Sequence, residues 1–407
     1  MRQKLYRGRR SVFYKRSRAP HIIGGILAAV AVVAVGFFGA KWINEHPVIA
    51  PDDSSAPTVS APDTSTPVDA PVEETPTAPD TDVVRGFYLP FDALTGDGLT
   101  ATLTAAKEAG FNAVVFDMKD AEGRMYYRFS TDAAVRVNSY VSNALSADQL
   151  SALLGQIRAA GLLAIPRLYA FQDDPGAKAL TECRITPKDN PGWVWYDGNP
   201  QSGAKAWLNP YSNNAHAYIT ALATELKTAG ADAVMLDGVQ FPRQTTSASF
   251  GADNAGLKQD EVLALFVDKV QQTLGADCPV LMGCTTEGAL ALGTATLIYG
   301  GNPLTFAPDV ACPAILPAQL PATIKVGETV VQNTPDALEQ TVQTLVAQMV
   351  LRTKVLAEEQ QPTFAPFLQV ADYSAQQVKQ EIAGCIAGGA ESYILYNPTG
   401  QYDFAAY

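Results

Sequence analysis

The strongest constraint on this chain is an alternation. Between residues 84 and 397, short apolar runs take turns with longer stretches of helical spacing. Eight runs read as strands: VRGFYLP (84–90), FNAVVFDM (111–118), LLAIPRLYAF (162–171), AVMLD (233–237), PVLMGCTT (279–286), DVACPAIL (309–316), TFAPFLQV (363–370) and ESYILYN (391–397). The helical stretches are 99–109, 146–160, 213–229, 257–274, 335–359 and 374–387. Most of the strand runs are apolar throughout, which marks strands buried on both faces. Parallel neighbours need crossovers, and eight such units in one folded region favour a closed (β/α)8 TIM barrel over an open sheet. No GxGxxG or GxxxxGK[ST] loop follows the first strand, so a nucleotide fold lacks its usual support. Pro166 inside the third run requires a bulge or a strand end there.

The N-terminal part is different in kind. Residues 1–41 hold nine Lys/Arg and no acid, which leaves 20 bases against 41 acids in the rest. An acidic body argues against a nucleic-acid partner. The arm (1–21) precedes an uncharged apolar stretch (22–40), long enough to cross a bilayer as a helix. Positive charge stays on the cytoplasmic side. The expectation is an uncleaved, single-pass signal anchor in the cell membrane, with the N-terminus cytoplasmic and the barrel (83–407) extracellular; a cleaved signal peptide, whose apolar core is usually shorter, is the competing reading. Residues 41–82, rich in Pro, Thr, Ser, Ala and acid, read as a disordered linker.

No metal site or cofactor is expected. The five cysteines form no CxxC pair, and the only histidines are His21, His46 and His216. His216, alone in the folded part and on a helix, suits a surface or packing role better than a Ser-His-Asp machine.

Several pieces, in order and spacing, resemble one family. They are VRGFYLP, FNAVVFDMKDAEGRMYY (111–127), IPRLYAFQDDPGAK (165–178), AWLNPY (206–211), AGADAVMLDGVQFP (229–242), PDVACPAILPA (308–318), FAPFLQV (364–370) and SYILYNPTGQY (392–402). Together they are similar to the bacterial DUF4015 group of glycoside-hydrolase-like barrels, relatives of the α-amylase type. The resemblance implies a (β/α)8 barrel that binds or cleaves carbohydrate at the cell envelope. Two places depart from the family pattern. Its fourth strand usually ends in aspartate, an aromatic, and then an arginine before Phe-Pro; here Asp237 is kept, with Gly238 and Gln240 following. Its fifth strand usually carries Ala-Asp; here stand Gly283 and Cys284, with Glu287 a few residues on.

Glycoside cleavage usually needs two carboxyls, about 5–5.5 Å apart for retention or about 6.5–9.5 Å for inversion. Strand ends at the carboxyl rim carry barrel chemistry. Asp237 is therefore the expected nucleophile, or else a structural carboxylate capping the next helix or paired with Arg167. Glu287 is the expected acid, or else a helix-start carboxylate. Asp120 and Asp372, beyond the second and seventh strands, could replace it. Asp117 and Lys119 could pair with each other. Trp193, Trp195 and Trp207 cluster in the loop after the third strand, as a sugar platform or as a small core. Tyr88, Asp117, Asp120, Arg167, Tyr169, Asn209, Gln369 and Asn397 complete the expected substrate-binding set. The substrate would be a polysaccharide or cell-wall glycan. The alternative is a non-catalytic glycan-binding or structural envelope protein.

Overall fold

The computed structural model describes residues 83–407. The basic arm, anchor and linker expected over 1–82 lie outside the described residues. Among the described residues, no helix is long and apolar enough to cross a membrane.

The eight expected strands are present: β1 (Arg85–Leu89), β2 (Ala113–Lys119), β3 (Leu163–Tyr169), β4 (Val234–Asp237), β5 (Val280–Thr285), β6 (Val310–Ile315), β7 (Phe367–Gln369) and β8 (Tyr393–Tyr396). Each pairs in parallel with its neighbours in chain order, and β1 pairs with both β2 and β8, which closes the barrel. Six helices wrap it: α1 (Leu99–Glu108), α2 (Ala147–Ala159), α3 (Asn213–Ala229), α4 (Gln259–Leu274), α5 (Leu338–Thr353) and α6 (Ala375–Ala387). Side-chain caps hold several helix starts. Ser146 with Gln149 and Ser374 with Gln377 form capping boxes, each worth about 1 kcal/mol. The expected helix over 335–359 is shorter than its pattern: single 3-10 turns at Pro335–Ala337 and Glu358–Gln360 flank α5.

The apolar runs conceal a period of two. Tyr88, Val115, Ile165, Met235, Leu281, Cys312, Phe367 and Ile394 fill the barrel interior. Their immediate neighbours Phe87, Val114, Ala164, Leu236, Met282, Ala311, Leu368 and Leu395 pack outward in the core beneath the helices. Both faces are buried, so hydrophobicity alone does not show which residue faces which way.

Pro166 sits in mid-strand rather than at an end. It cannot donate a ladder bond, and the β2–β3 register slips beside it, between Asp117 and Lys119. That bulge turns Lys119 out of the barrel. Lys119 is therefore not the partner of Asp117; it pairs with Asp173 at 3.0 Å, both side chains being 0 % exposed.

Three insertions decorate the barrel. A strand (Met125–Tyr127), a helix (Asp132–Val137) and a second strand (Tyr140–Leu145) extend the sheet beyond β2. The loop after β3 contains a helix, Asp174–Ala179, and its Thr186–Pro187 pairs antiparallel with Ala248–Ser249 of the loop after β4. A hairpin, Thr323–Val326 with Thr329–Gln332, follows β6. Residues 287–308 form short turns of helix, Thr296–Tyr299 and Pro303–Phe306 among them.

The C-terminal tail clamps the seam between β8 and β1. The Tyr402 hydroxyl donates to the Tyr88 carbonyl oxygen at 2.6 Å and accepts from the Asn397 amide at 3.0 Å. Phe404 packs edge-on against Phe87 and Phe111, with centroids 4.8 and 5.1 Å away.

Candidate active site

At the carboxyl rim, the inward parity of the strands brings polar side chains together. Asp117 on β2, Arg167 on β3 and Asp237 on β4 stand side by side, as the register Asp117↔Arg167 and Tyr169↔Asp237 requires. Arg167 donates through Nε and Nη2 to Asp117, at 2.6 and 3.1 Å, and through Nη1 to Asp237 at 3.3 Å. The two-pronged contact is the strong one. The Tyr88 hydroxyl donates to Asp117 at 2.9 Å. Around the guanidinium stand the rings of Tyr88, Tyr169 and Phe367, at 5.0, 5.2 and 5.9 Å. They favour a cation there.

Asp237 is held more loosely. Beyond Arg167, its Oδ1 accepts from the Gly238 amide at 2.7 Å. Gly238 has φ +59, a left-handed turn that a side chain would strain, and this turn sends the chain away while the carboxylate stays behind. On the other flank stands Gly283, where a Cβ would come within 2.9 Å of the Asp237 carboxyl carbon. The missing side chain at 283 is thus the space that the carboxylate fills. Burial pushes the Asp237 pKa above the usual carboxylate range, against the opposing pull of Arg167. The charge of Asp237, followed by burial, raises Tyr169 so that its hydroxyl stays protonated.

Asp237 opens on a cavity of about 290 Å³, where its side chain keeps 22 % exposure. Arg167, Tyr169, Gln240, Thr285, Tyr299, Gln319, Phe367 and Tyr396 line it with Asp237. Cys284 and Cys312 also border it, and burial raises both thiols well above their ordinary range. Among the described residues, Asp237 is the only carboxylate on this wall. The arrangement provides aromatic faces, amide and hydroxyl groups for hydrogen bonding, and one acid.

The other expected residues lie elsewhere. Glu287 sits in the short helix after β5, Thr286–Ala289, and borders a different cavity, with Arg243 and Lys325. The Asp120 carboxylate is taken up by the Arg124 guanidinium and the Tyr126 hydroxyl. Asp372, at φ +64, is not on the wall of the Asp237 cavity. Asn209 bonds to the Phe250 carbonyl, Gln369 to the Ala371 carbonyl, and Asn397 to the Gln401 carbonyl.

The tryptophans split. Trp195 and Trp207 are buried, donating to Ser247 Oγ and Asp197 Oδ2, while Trp193 is 68 % exposed. His216 is a packing residue: it stacks near Phe171 and Phe266, its Nε2 bonds to the Pro210 carbonyl at 2.7 Å, and burial lowers its pKa to about 4. Phe367 and Tyr396 share the inward parity of Asp237, which is the one signal the chain offers for them. Tyr299 and Gln319 come from irregular loops that carry none.

The sequence matches DUF4015, described as "Putative glycosyl hydrolase domain", over residues 86–402. No curated protein matches the chain. Among solved structures, a hypothetical protein from Ruminiclostridium thermocellum ATCC 27405 is similar, at 22 % identity and TM-score 0.41, over 48 % of this chain and 96 % of that one. The glycoside hydrolase domain of PelA from Pseudomonas aeruginosa is similar at 11 % identity and TM-score 0.43, over 79 % and 96 %. The exo-beta-1,4-mannosidase Op5Man5 from Opitutaceae bacterium strain TAV5 is similar at 14 % and 0.43, over 80 % and 55 %. With its eight-stranded barrel and a family match that spans most of its length, the chain belongs to the DUF4015 family of glycosyl hydrolase domains.

Proposed function

We propose that this barrel cleaves a polysaccharide and that the reaction turns on Asp237. The observation that carries the reading is the carboxylate itself: it sits at the end of β4, unshielded on the side of a cavity walled by aromatic rings. A sugar ring seated there would lay its C–H face on Tyr169, Phe367 or Tyr396 and its hydroxyls on Gln240, Gln319 and Thr285. Positive charge developing at the anomeric carbon would meet the Asp237 carboxylate, in a setting where little water weakens the attraction. Glu287, in the short helix after β5, is the proposed proton donor.

One observation favours a second reading, glycan binding without turnover. Glu287 borders a separate cavity, so the described wall offers one acid where hydrolysis usually takes two. Screening Asp237→Asn and Glu287→Gln beside the parent on a glycan panel, for both binding and released product, separates the two. Hydrolysis predicts that Asp237→Asn binds and releases nothing. Full turnover in that variant would remove Asp237 from the chemistry. Binding by the parent with no product from any glycan would select the second reading.

The setting belongs to the same proposal. Residues 22–40 would anchor the chain in the cell membrane and 41–82 would hold the barrel outside, within reach of envelope glycan. Protease added to intact cells should then release the barrel; protection of the barrel until lysis would contradict that placement.

A further inference from the structure

The Asp237 cavity is small. At about 290 Å³ it lies at the lower end of pockets that hold a whole small molecule, so it has room for little beyond the reacting unit. Two more cavities stand on the same rim. One, of about 350 Å³, is walled by Gln172, Asp197, Trp207, Gln240, Arg243 and Gln244. The next, of about 410 Å³, is walled by Arg243, Glu287, Leu292, Thr294, Leu320 and Lys325 among others. They share walls in series: Gln240 borders the first and second, and Arg243 borders the second and third. The second and third are built from segments that leave the carboxyl ends of β3, β4, β5 and β6, while the first also takes Phe367 of β7 and Tyr396 of β8. The large cavity bordered by Asp268, Asp309 and Glu359 shares no wall with them.

Resting on the glycan reading above, we propose that these three cavities are consecutive subsites, and that the protein grips an internal stretch of a polysaccharide rather than one terminal sugar. The chemistry of the middle cavity suits this role. Gln172, Gln240 and Gln244 carry amides that both donate and accept, as ring hydroxyls do. Asp197 is held in place as an acceptor by the Trp207 indole N–H at 2.9 Å and the Lys205 amide at 2.8 Å. Arg243 is exposed and makes no ion pair among the described residues, so its guanidinium remains available on both sides of the wall it forms. Trp207, 6 % exposed, leaves little ring surface for stacking. The middle subsite therefore reads hydroxyls more than it stacks rings.

The test uses the full-length protein on an array of mono- to hexasaccharides of each common linkage, read as affinity against chain length. Arg243→Ala and Gln244→Ala are compared with the parent; both side chains are exposed, and thermal unfolding checks that each variant folds. Affinity should rise by on the order of tenfold or more between the disaccharide and the tetrasaccharide, as a few added hydrogen bonds would give. Each substitution should remove much of that gain and leave the short ligands unaffected. Affinity that ignores chain length, or a gain that survives both substitutions, overturns the subsites while the Asp237 site stands. Absence of binding to any glycan overturns the Asp237 reading, and the subsites with it.

Discussion

Two buried cations, on successive strands and close in space, show how differently this barrel uses charge. Lys119, at the end of β2, lies outside the barrel wall against Asp173, and both are sealed from solvent. Its Nζ also donates to the Tyr169 carbonyl at 2.6 Å. Arg167, on β3, lies inside the barrel, is shared by two carboxylates, and borders a cavity. The first is a closed pair that fixes backbone. The second is an open set in which Asp237 keeps part of its charge available. Alternation by itself would put Asp117 and Lys119 on one face; the bulge beside Pro166 separates them and makes the two devices distinct.

The sharpest way to break this comparison is Lys119→Met. It leaves Asp173 buried without a counter-charge and should cost about 3–5 kcal/mol in urea unfolding. A loss under about 1 kcal/mol would mean the pair is not sealed. Arg167→Met should cost less, about 2–3 kcal/mol, because Asp237 borders a cavity and can take up a proton. Equal losses for the two variants would erase the distinction between closed and open.

Gly283→Ala should cost about 1–3 kcal/mol, since the new methyl meets the Asp237 carboxyl. It should also lower glycan affinity if that carboxylate is displaced. Thermal unfolding and the glycan panel read the two effects separately, and an unchanged result in both would mean the carboxylate has room to move.

The smallest effect is the pH dependence of Asp237→Asn. Burial raises the Asp237 pKa, so the folded protein holds this proton more tightly than the unfolded chain. Its stabilising contribution is complete below the ordinary aspartate pKa of about 3.9 and is lost as pH rises through the folded value. Parent stability minus variant stability should fall across that window and then level off, with Asp237→Asn within about 1 kcal/mol of the parent at neutral pH. A difference that grows with pH would show that Arg167 outweighs burial.

How much of this is legible in the sequence follows the same physics. Eight strands can be read because burial on both faces leaves long apolar runs, and Ser146 and Ser374 mark helix starts by their capping chemistry. The same burial hides the direction of each side chain, so nothing singles out Phe367 and Tyr396 although they share the parity of Asp237. Insertions such as Tyr140–Leu145 and the hairpin after β6 are short and half polar, with too little pattern to register. At the site, Asp237, Arg167 and Tyr169 are visible because a polar residue at the close of a buried apolar run marks the place where the strand reaches the rim. The tryptophans mislead in a specific way: closeness along the chain says nothing about orientation, and Trp195 and Trp207 turn their indole N–H groups to internal acceptors.

The clamped seam has a mechanical consequence. β1 is the first strand of the barrel, held lengthwise between parallel β8 and β2, with Tyr402 fastening its far end. A pull on residue 83 while something is gripped at the rim would load β1 along its own axis. The ladder bonds on both sides would then resist together in shear, instead of peeling one after another. A barrel built this way can carry tension between whatever lies upstream of it and whatever it holds.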